Sequence, residues 1–158
     1  MESKALTFWQ YFFLFLIANF IALGIGGFAQ SAGPTFEWYS NLNRAPWTPP
    51  GWVFGFAWTS IMICFAVYLA FLAKTVSWKQ FIILYLLQWI LNVSWNPIFF
   101  AWHSVGIALI VIVLLAITVS YFLFKYAKTL KFKSLFIFPY FIWLLIAISL
   151  NAYVFLKN

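Results

Sequence analysis

Acid–base, metal and nucleophile chemistry have little to work with in this chain. Its acids are Glu2 and Glu37, both outside the apolar runs. Paired-carboxylate catalysis and a membrane-embedded proton relay are therefore not expected. His103 is the sole histidine and Cys64 the sole cysteine. That leaves no disulfide and no cluster able to hold zinc, so Cys64 reads as a small apolar residue of a helix. No glycine-rich phosphate loop is present either. What the chain has in abundance is indole. Three of its tryptophans fall within Asn43–Trp58, NRAPWTPPGWVFGFAW. An indole offers a large electron-rich face for stacking on another flat ring, and prolines crowd the same stretch where an apolar segment begins.

The elements that hold these residues follow from composition. Hydrophobic residues make up 66% of the 158, and charged ones only 7%. A soluble domain carries roughly a quarter charged residues, so the solvent expected here is lipid. The charges punctuate long apolar runs. None lies between Lys4 and Glu37, Arg44 and Lys74, or Lys133 and Lys157, and the interval from Lys79 to Lys125 holds only His103. A span needs roughly 20 apolar residues, so the last interval fits two. The spacing predicts five transmembrane helices at 7–29, 51–73, 80–101, 106–124 and 134–156 in one domain over 1–158. Runs such as IALIVIVLLAITV do not alternate as barrel strands would. The fold class is an all-α integral membrane protein, a five-transmembrane-helix bundle. The first apolar run, from Ala5 to Phe36, is too long for a cleavable signal peptide and lacks its cleavage site.

Basic residues orient the bundle. With the N-terminus inside, seven of the nine lie on the inner side and only Arg44 and Lys157 on the outer. The positive-inside rule then sets a cytoplasmic N-terminus, with the C-terminus and first loop outside a cell membrane. The +7 charge sits in short pieces between spans rather than along one face, so nucleic acid is not expected as a partner. The lysines of Lys125–Lys133 read as a topology anchor in a short loop.

Only the first outer loop, 30–50, is long, which marks it as a lid or binding element. At its end, Pro49 and Pro50 fix the start of the second helix, since proline tolerates a first turn. Trp47 and Trp52 flank that start at the depth an indole prefers. Trp58, two turns deeper, has no place in that account. Pro97 and Pro139 lie within or near helices and can bend them. Gly51 and Gly55 form a GxxxG pair, fit for a helix contact or a dimer face. No transporter-type internal repeat is present, and an odd helix count disfavours an inverted two-half carrier.

Taken together, PWTPPGWVFGFAWT, LNVSWNPIFF (Leu91–Phe100), PYFIWLL (Pro139–Leu145) and SLNAYVF (Ser149–Phe155) resemble the TspO/MBR family, the tryptophan-rich sensory and translocator proteins once called peripheral benzodiazepine receptors. Lys- and Ile-rich usage points to a bacterial member. The resemblance implies a five-helix bundle that dimerises in the membrane, with a pocket between the helices under the first loop. It implies a receptor or sensor for tetrapyrroles such as protoporphyrin IX and haem, and binding of synthetic benzodiazepine-receptor ligands. Light-dependent oxidative degradation of protoporphyrin IX is implied as well. A carrier of tetrapyrroles or other flat apolar ligands is the alternative. No resident cofactor is expected.

The resemblance also assigns residues. Trp52 and Trp143 match pocket tryptophans implicated in porphyrin breakdown, and indole can react with singlet oxygen or donate an electron to an excited porphyrin. Against this stand interface anchoring for Trp52 and helix packing for Trp143. By helical spacing Phe56 shares a face with Trp52, Trp95 with Asn92, and Ala147 with Trp143. The expected ligand-binding set is Trp52, Phe56, Asn92, Trp95, Trp143 and Ala147. Asn92 serves equally as a ligand-orienting amide or an interhelical hydrogen bond. Asn151 reads as structural. His103, alone in a turn, makes a poor haem ligand, and the sterol-like pattern in LNAYVFLK carries little weight.

Overall fold

The computed structural model describes residues 6–30 and 34–158, those at 29–30 and 34–36 by backbone alone; Glu2 and Lys4 fall outside it. The elements are α1 (Phe8–Gln30), a short α2 (Pro34–Asn41), α3 (Gly51–Thr75), α4 (Trp78–Asn96), α5 (Val105–Leu130) and α6 (Phe138–Lys157). The five long helices form an all-helical membrane bundle. Apolar stretches in α1, α3 and α4 are each long enough to cross a bilayer. The fourth such stretch, Val105–Lys157, contains two helices, and α6 packs back along α5. At 1.5 Å per residue, the 20 residues of α6 reach about 30 Å, the thickness of the hydrocarbon core.

Four local features differ from the sequence reading. The first loop is not structureless, because its first half forms α2. The third long helix stops being α-helical at Asn96 and continues as a π turn, Pro97–Ala101. Pro97 has no N–H to give its own turn and its ring crowds the carbonyl four residues back. A wider turn relieves both demands. The fourth long helix runs to Leu130, so Lys125 and Lys128 sit on its last turns rather than in a loop. Lys125 keeps its stem beside aromatic rings, with Nζ 5.1 and 5.4 Å from the ring centres of Tyr121 and Tyr126. Cations there also complement the helix C-terminus. Pro139 falls in the first turn of α6, where it starts the helix and does not bend it.

The reversals on either side of α5 use residues with positive φ that are not glycine: His103 (φ 53°) before it and Lys131 (φ 50°) after it. A 3₁₀ segment, Lys131–Ile137, then leads into α6. Inside, α1 lies against α3 and α4, while α5 lies against α4 and α6. The centre is aromatic. Phe65 is wholly buried, its ring 5.9 Å from Phe122 and 5.3 Å from Tyr140.

Buried polar groups tie the helices together. Asn19 donates to the Met62 carbonyl (3.2 Å) and accepts from the Tyr85 hydroxyl (3.2 Å). Gln88 donates to the Tyr140 hydroxyl (2.9 Å), which donates to Asn92 Oδ1 (3.1 Å). Outside, Phe13, Ile17, Ile83, Ile90, Ile110 and Ile117 are exposed. In water that would be a liability. Lipid makes it the expected surface.

Candidate functional site

Helical periodicity builds the walls of a cavity of about 630 Å³ at the end of the bundle beneath α2. From α3 come Gly51, Phe54, Gly55, Trp58 and Thr59, and from α6 come Trp143, Ala147, Leu150, Asn151 and Val154. Both sets follow the spacing of one helix face. Around the π turn, α4 and its continuation add Trp95, Asn96, Phe99 and Phe100, and α1 adds Leu23 and Gly27. The roof is Tyr39 and Ser40 of α2 with Arg44, Thr48 and Pro49. Volume and lining match those of small-molecule sites, which are mostly apolar with a few convergent polar groups.

Ring contacts dock α2. Trp38 lies 4.0 Å from His103, nearly parallel at 15°, and edge-on to Phe99 at 5.6 Å. Tyr39 meets Phe100 at 5.4 Å. Polar bonds hold the rest of the loop. Asn158 accepts from the Asn43 N–H (2.9 Å) and donates to the Asn43 carbonyl (3.2 Å). Trp47 Nε1 donates to Ser149 Oγ on α6 (3.2 Å). Pro50 is extended (φ −56°, ψ 151°) immediately before α3. Each proline also keeps its predecessor out of the helical region, so the pair fixes where α3 begins.

Within the cavity the indoles are held by different means. Trp95 Nε1 donates to Asn151 Oδ1 (3.1 Å), whose Nδ2 donates to the Val105 carbonyl (3.0 Å). One amide therefore links α4, α5 and α6. Trp143 receives the ring of Phe54 edge-on at 5.5 Å and 82°. Its buried Nε1 has no acceptor among the described residues. On α2, burial pushes the Tyr39 phenol above its ordinary value, and the neighbouring Arg44 guanidinium partly offsets this.

The structure brings Trp95, Trp143 and Ala147 together on the cavity wall and leaves Trp52, Phe56 and Asn92 off it. Trp52 and Phe56 are 72% and 68% exposed, one step round α3 from the cavity-facing positions. Phe54 and Trp58 hold the cavity-facing positions that the sequence reading gave to Trp52 and Phe56. Asn92 is buried with its Oδ1 taken by Tyr140, so its two open readings resolve to an interhelical bond. Asn151 is structural as expected, yet it also lines the cavity. Sequence reasoning missed Phe54, Trp58, Tyr39, Arg44, Asn96, Phe99 and Phe100. One signal was available. Gly51, Phe54, Gly55, Trp58 and Thr59 share a stripe, and Trp58 was the tryptophan that interface anchoring left over. Among the described residues no group of His, Cys, Asp or Glu is placed to hold a metal.

A family model described as the TspO/MBR family matches residues 13–156, from α1 to α6. The chain belongs to the TspO/MBR family. Among its relatives, the tryptophan-rich sensory protein of Cereibacter sphaeroides is 31% identical over 115 residues, 73% of each chain. The tryptophan-rich protein TspO of Chlorobaculum tepidum is 32% identical over 136 residues, 83% of this chain and 85% of that one. The translocator protein of Homo sapiens is 27% identical over 151 residues, 87% of this chain and 86% of its own. In this TspO/MBR protein the motifs noted in the sequence fall on α3, on α4 with its π turn, and on α6, the elements that supply most of the cavity wall.

Proposed function

We propose that this TspO/MBR protein is a receptor that binds tetrapyrroles such as protoporphyrin IX and haem in the intrabundle cavity. The observation carrying this is one chamber of about 630 Å³ lined by Trp58, Trp95 and Trp143 together with Phe54, Phe99 and Phe100. Flat apolar rings stack on such walls, and benzodiazepine-receptor ligands of similar shape belong to the same reading. So does light-dependent degradation of protoporphyrin IX. The porphyrin absorbs the light and dioxygen is the oxidant, so no acid–base pair or metal is required of the protein. It encloses the ligand and supplies oxidisable indole, for which Trp143 is the candidate. Trp52, outside the chamber, takes an anchoring role beside its opening.

A dark and illuminated absorbance series tests this. Binding alone leaves the porphyrin spectrum intact, degradation consumes the Soret band only with light and oxygen, and a carrier instead yields flux into vesicles. Trp143→Phe keeps an aromatic face, so consumption should fall far more than affinity. If Trp143→Phe leaves the rate at the parent value, the indole is packing only. If Trp52→Phe slows consumption while Trp143→Phe does not, the assignment of roles is reversed.

The reading includes a homodimer in a cell membrane, with α2 and the cavity mouth on the outer side. Support comes from the charges: Lys74, Lys79, Lys125, Lys128, Lys131 and Lys133 belong to the opposite end. Cysteines at exposed Ser40 and Lys133, in a Cys64→Ala background, should react with an impermeant reagent from outside and inside respectively. The reverse pattern refutes the topology.

A further inference from the structure

We propose that Arg44 sets ligand choice by pairing with a carboxylate at the cavity mouth, so that the site prefers a flat apolar body with an anionic edge over its neutral equivalent. This rests on the cavity being a ligand site, as proposed above. Arg44 is, among the described residues, the one charged residue on the lining, and no acid accompanies it there. Among the described residues its guanidinium has the Tyr39 ring 5.4 Å away and no carboxylate partner. The remaining acids of the sequence are Glu2, outside the described residues, and Glu37 on the exposed side of α2.

The arm is exposed but its base is fixed. Asn43, on one side, is clasped at both its N–H and its carbonyl by Asn158. On the other side Ala45 is buried, and its carbonyl accepts from the Thr48 N–H (2.9 Å) and the Thr48 hydroxyl (2.7 Å). A guanidinium held this way carries a rigid fork of donors that matches a carboxylate two bonds at a time. The described lining beyond it is neutral, so a ligand anion finds no competing charge among those residues further in. Opposite-charge pairing at a half-enclosed rim is also less screened than on an open surface. The same chemistry would suit a lipid phosphate beside the mouth, and the two sources differ in outcome. A lipid partner leaves ligand selectivity untouched.

The test uses the full chain in phosphatidylcholine nanodiscs, kept dark, with protoporphyrin IX and its neutral dimethyl ester as probes. The parent should bind the diacid about tenfold more tightly than the ester, the worth of one charge-assisted hydrogen bond. Arg44→Gln should bring that ratio close to one by weakening the diacid while ester affinity stays put. Arg44→Lys, with charge but no fork, should fall between. Raising salt should erode the ratio in the parent and not in Arg44→Gln. Equal binding of both probes by the parent overturns the Arg44 assignment alone. So does an Arg44→Gln variant that weakens both probes alike, or one that leaves the parent's ratio unchanged, as lipid pairing would. Absence of binding to either probe overturns the ligand reading and Arg44 with it.

Discussion

Tyr140→Phe removes one oxygen atom from the middle of the bundle and nothing else. The hydroxyl is wholly buried, accepts from Gln88 Nε2 at 2.9 Å and donates to Asn92 Oδ1 at 3.1 Å. Neither amide has a ready substitute, since Gln88 Oε1 is already without a partner among the described residues. Interhelical hydrogen bonds in a membrane bundle average about 0.6 kcal/mol and reach about 1.7. Two such bonds, with two buried amide groups left unpaired, place the loss at about 1–3 kcal/mol. Reversible unfolding in mixed micelles measures it, and a cycle with Asn92→Ala isolates the 3.1 Å bond. A variant as stable as the parent would refute the reasoning, as would strict additivity with Asn92→Ala. The ring itself remains to support Trp58, whose centroid is 6.1 Å away, so ligand affinity should move by less than about twofold.

Gly26 and Gly27 should respond differently to alanine. A Cβ at Gly26 would lie 2.5 Å from Asn96 Nδ2, whereas one at Gly27 meets nothing within 4 Å. Gly26→Ala should cost about 1–3 kcal/mol and alter ligand affinity through Asn96 on the cavity wall, with Gly27→Ala near neutral in the same unfolding assay. Lys131 holds φ 50° and ψ −126°, a conformation that suits glycine, so Lys131→Gly should raise stability by about 1 kcal/mol; no gain would show that the turn is unstrained. Burial raises the Tyr39 phenol, so its contribution to docking α2 is full below its ordinary value of about 10 and fades as pH climbs through the higher folded value. Arg44→Gln removes the opposing influence and should move the tyrosinate absorbance of this residue to still higher pH, with Tyr39→Phe as the blank.

Much of this architecture is readable from where charges fall. Lipid tolerates few of them, so the intervals between Arg44 and Lys74 or Lys133 and Lys157 delimit helices almost directly. Turn geometry is less legible. Lys125 and Lys128 look like part of a loop, yet α5 runs on to Leu130 with Lys125 over the rings of Tyr121 and Tyr126, and only Pro97 hints at the wide turn beyond Asn96. The site was half visible, for a physical reason. A helix apolar all the way round, like α3, gives periodicity nothing to point with. Trp52 and Trp58 are equally good candidates by residue type. Their rotation about the axis is set by packing against α1 and α6. On α6 the buried amide Asn151 gives a polar mark, and Trp143 and Ala147 line the cavity on its side of the helix.

The bond between Asn43 and Asn158 joins residues 115 positions apart, and this bears on the order of biogenesis. The loop that frames the mouth is synthesised before α3, yet the bonds that hold its second half, from Asn43 to Asn158 and from Trp47 to Ser149, wait until α6 has been made. Until then α2 has its ring partners beyond Asn96, but the cavity lacks the wall that α6 supplies. Long-range closure of this kind is costly before its contacts form. During insertion the aromatic chamber therefore cannot close before its α6 wall is in place.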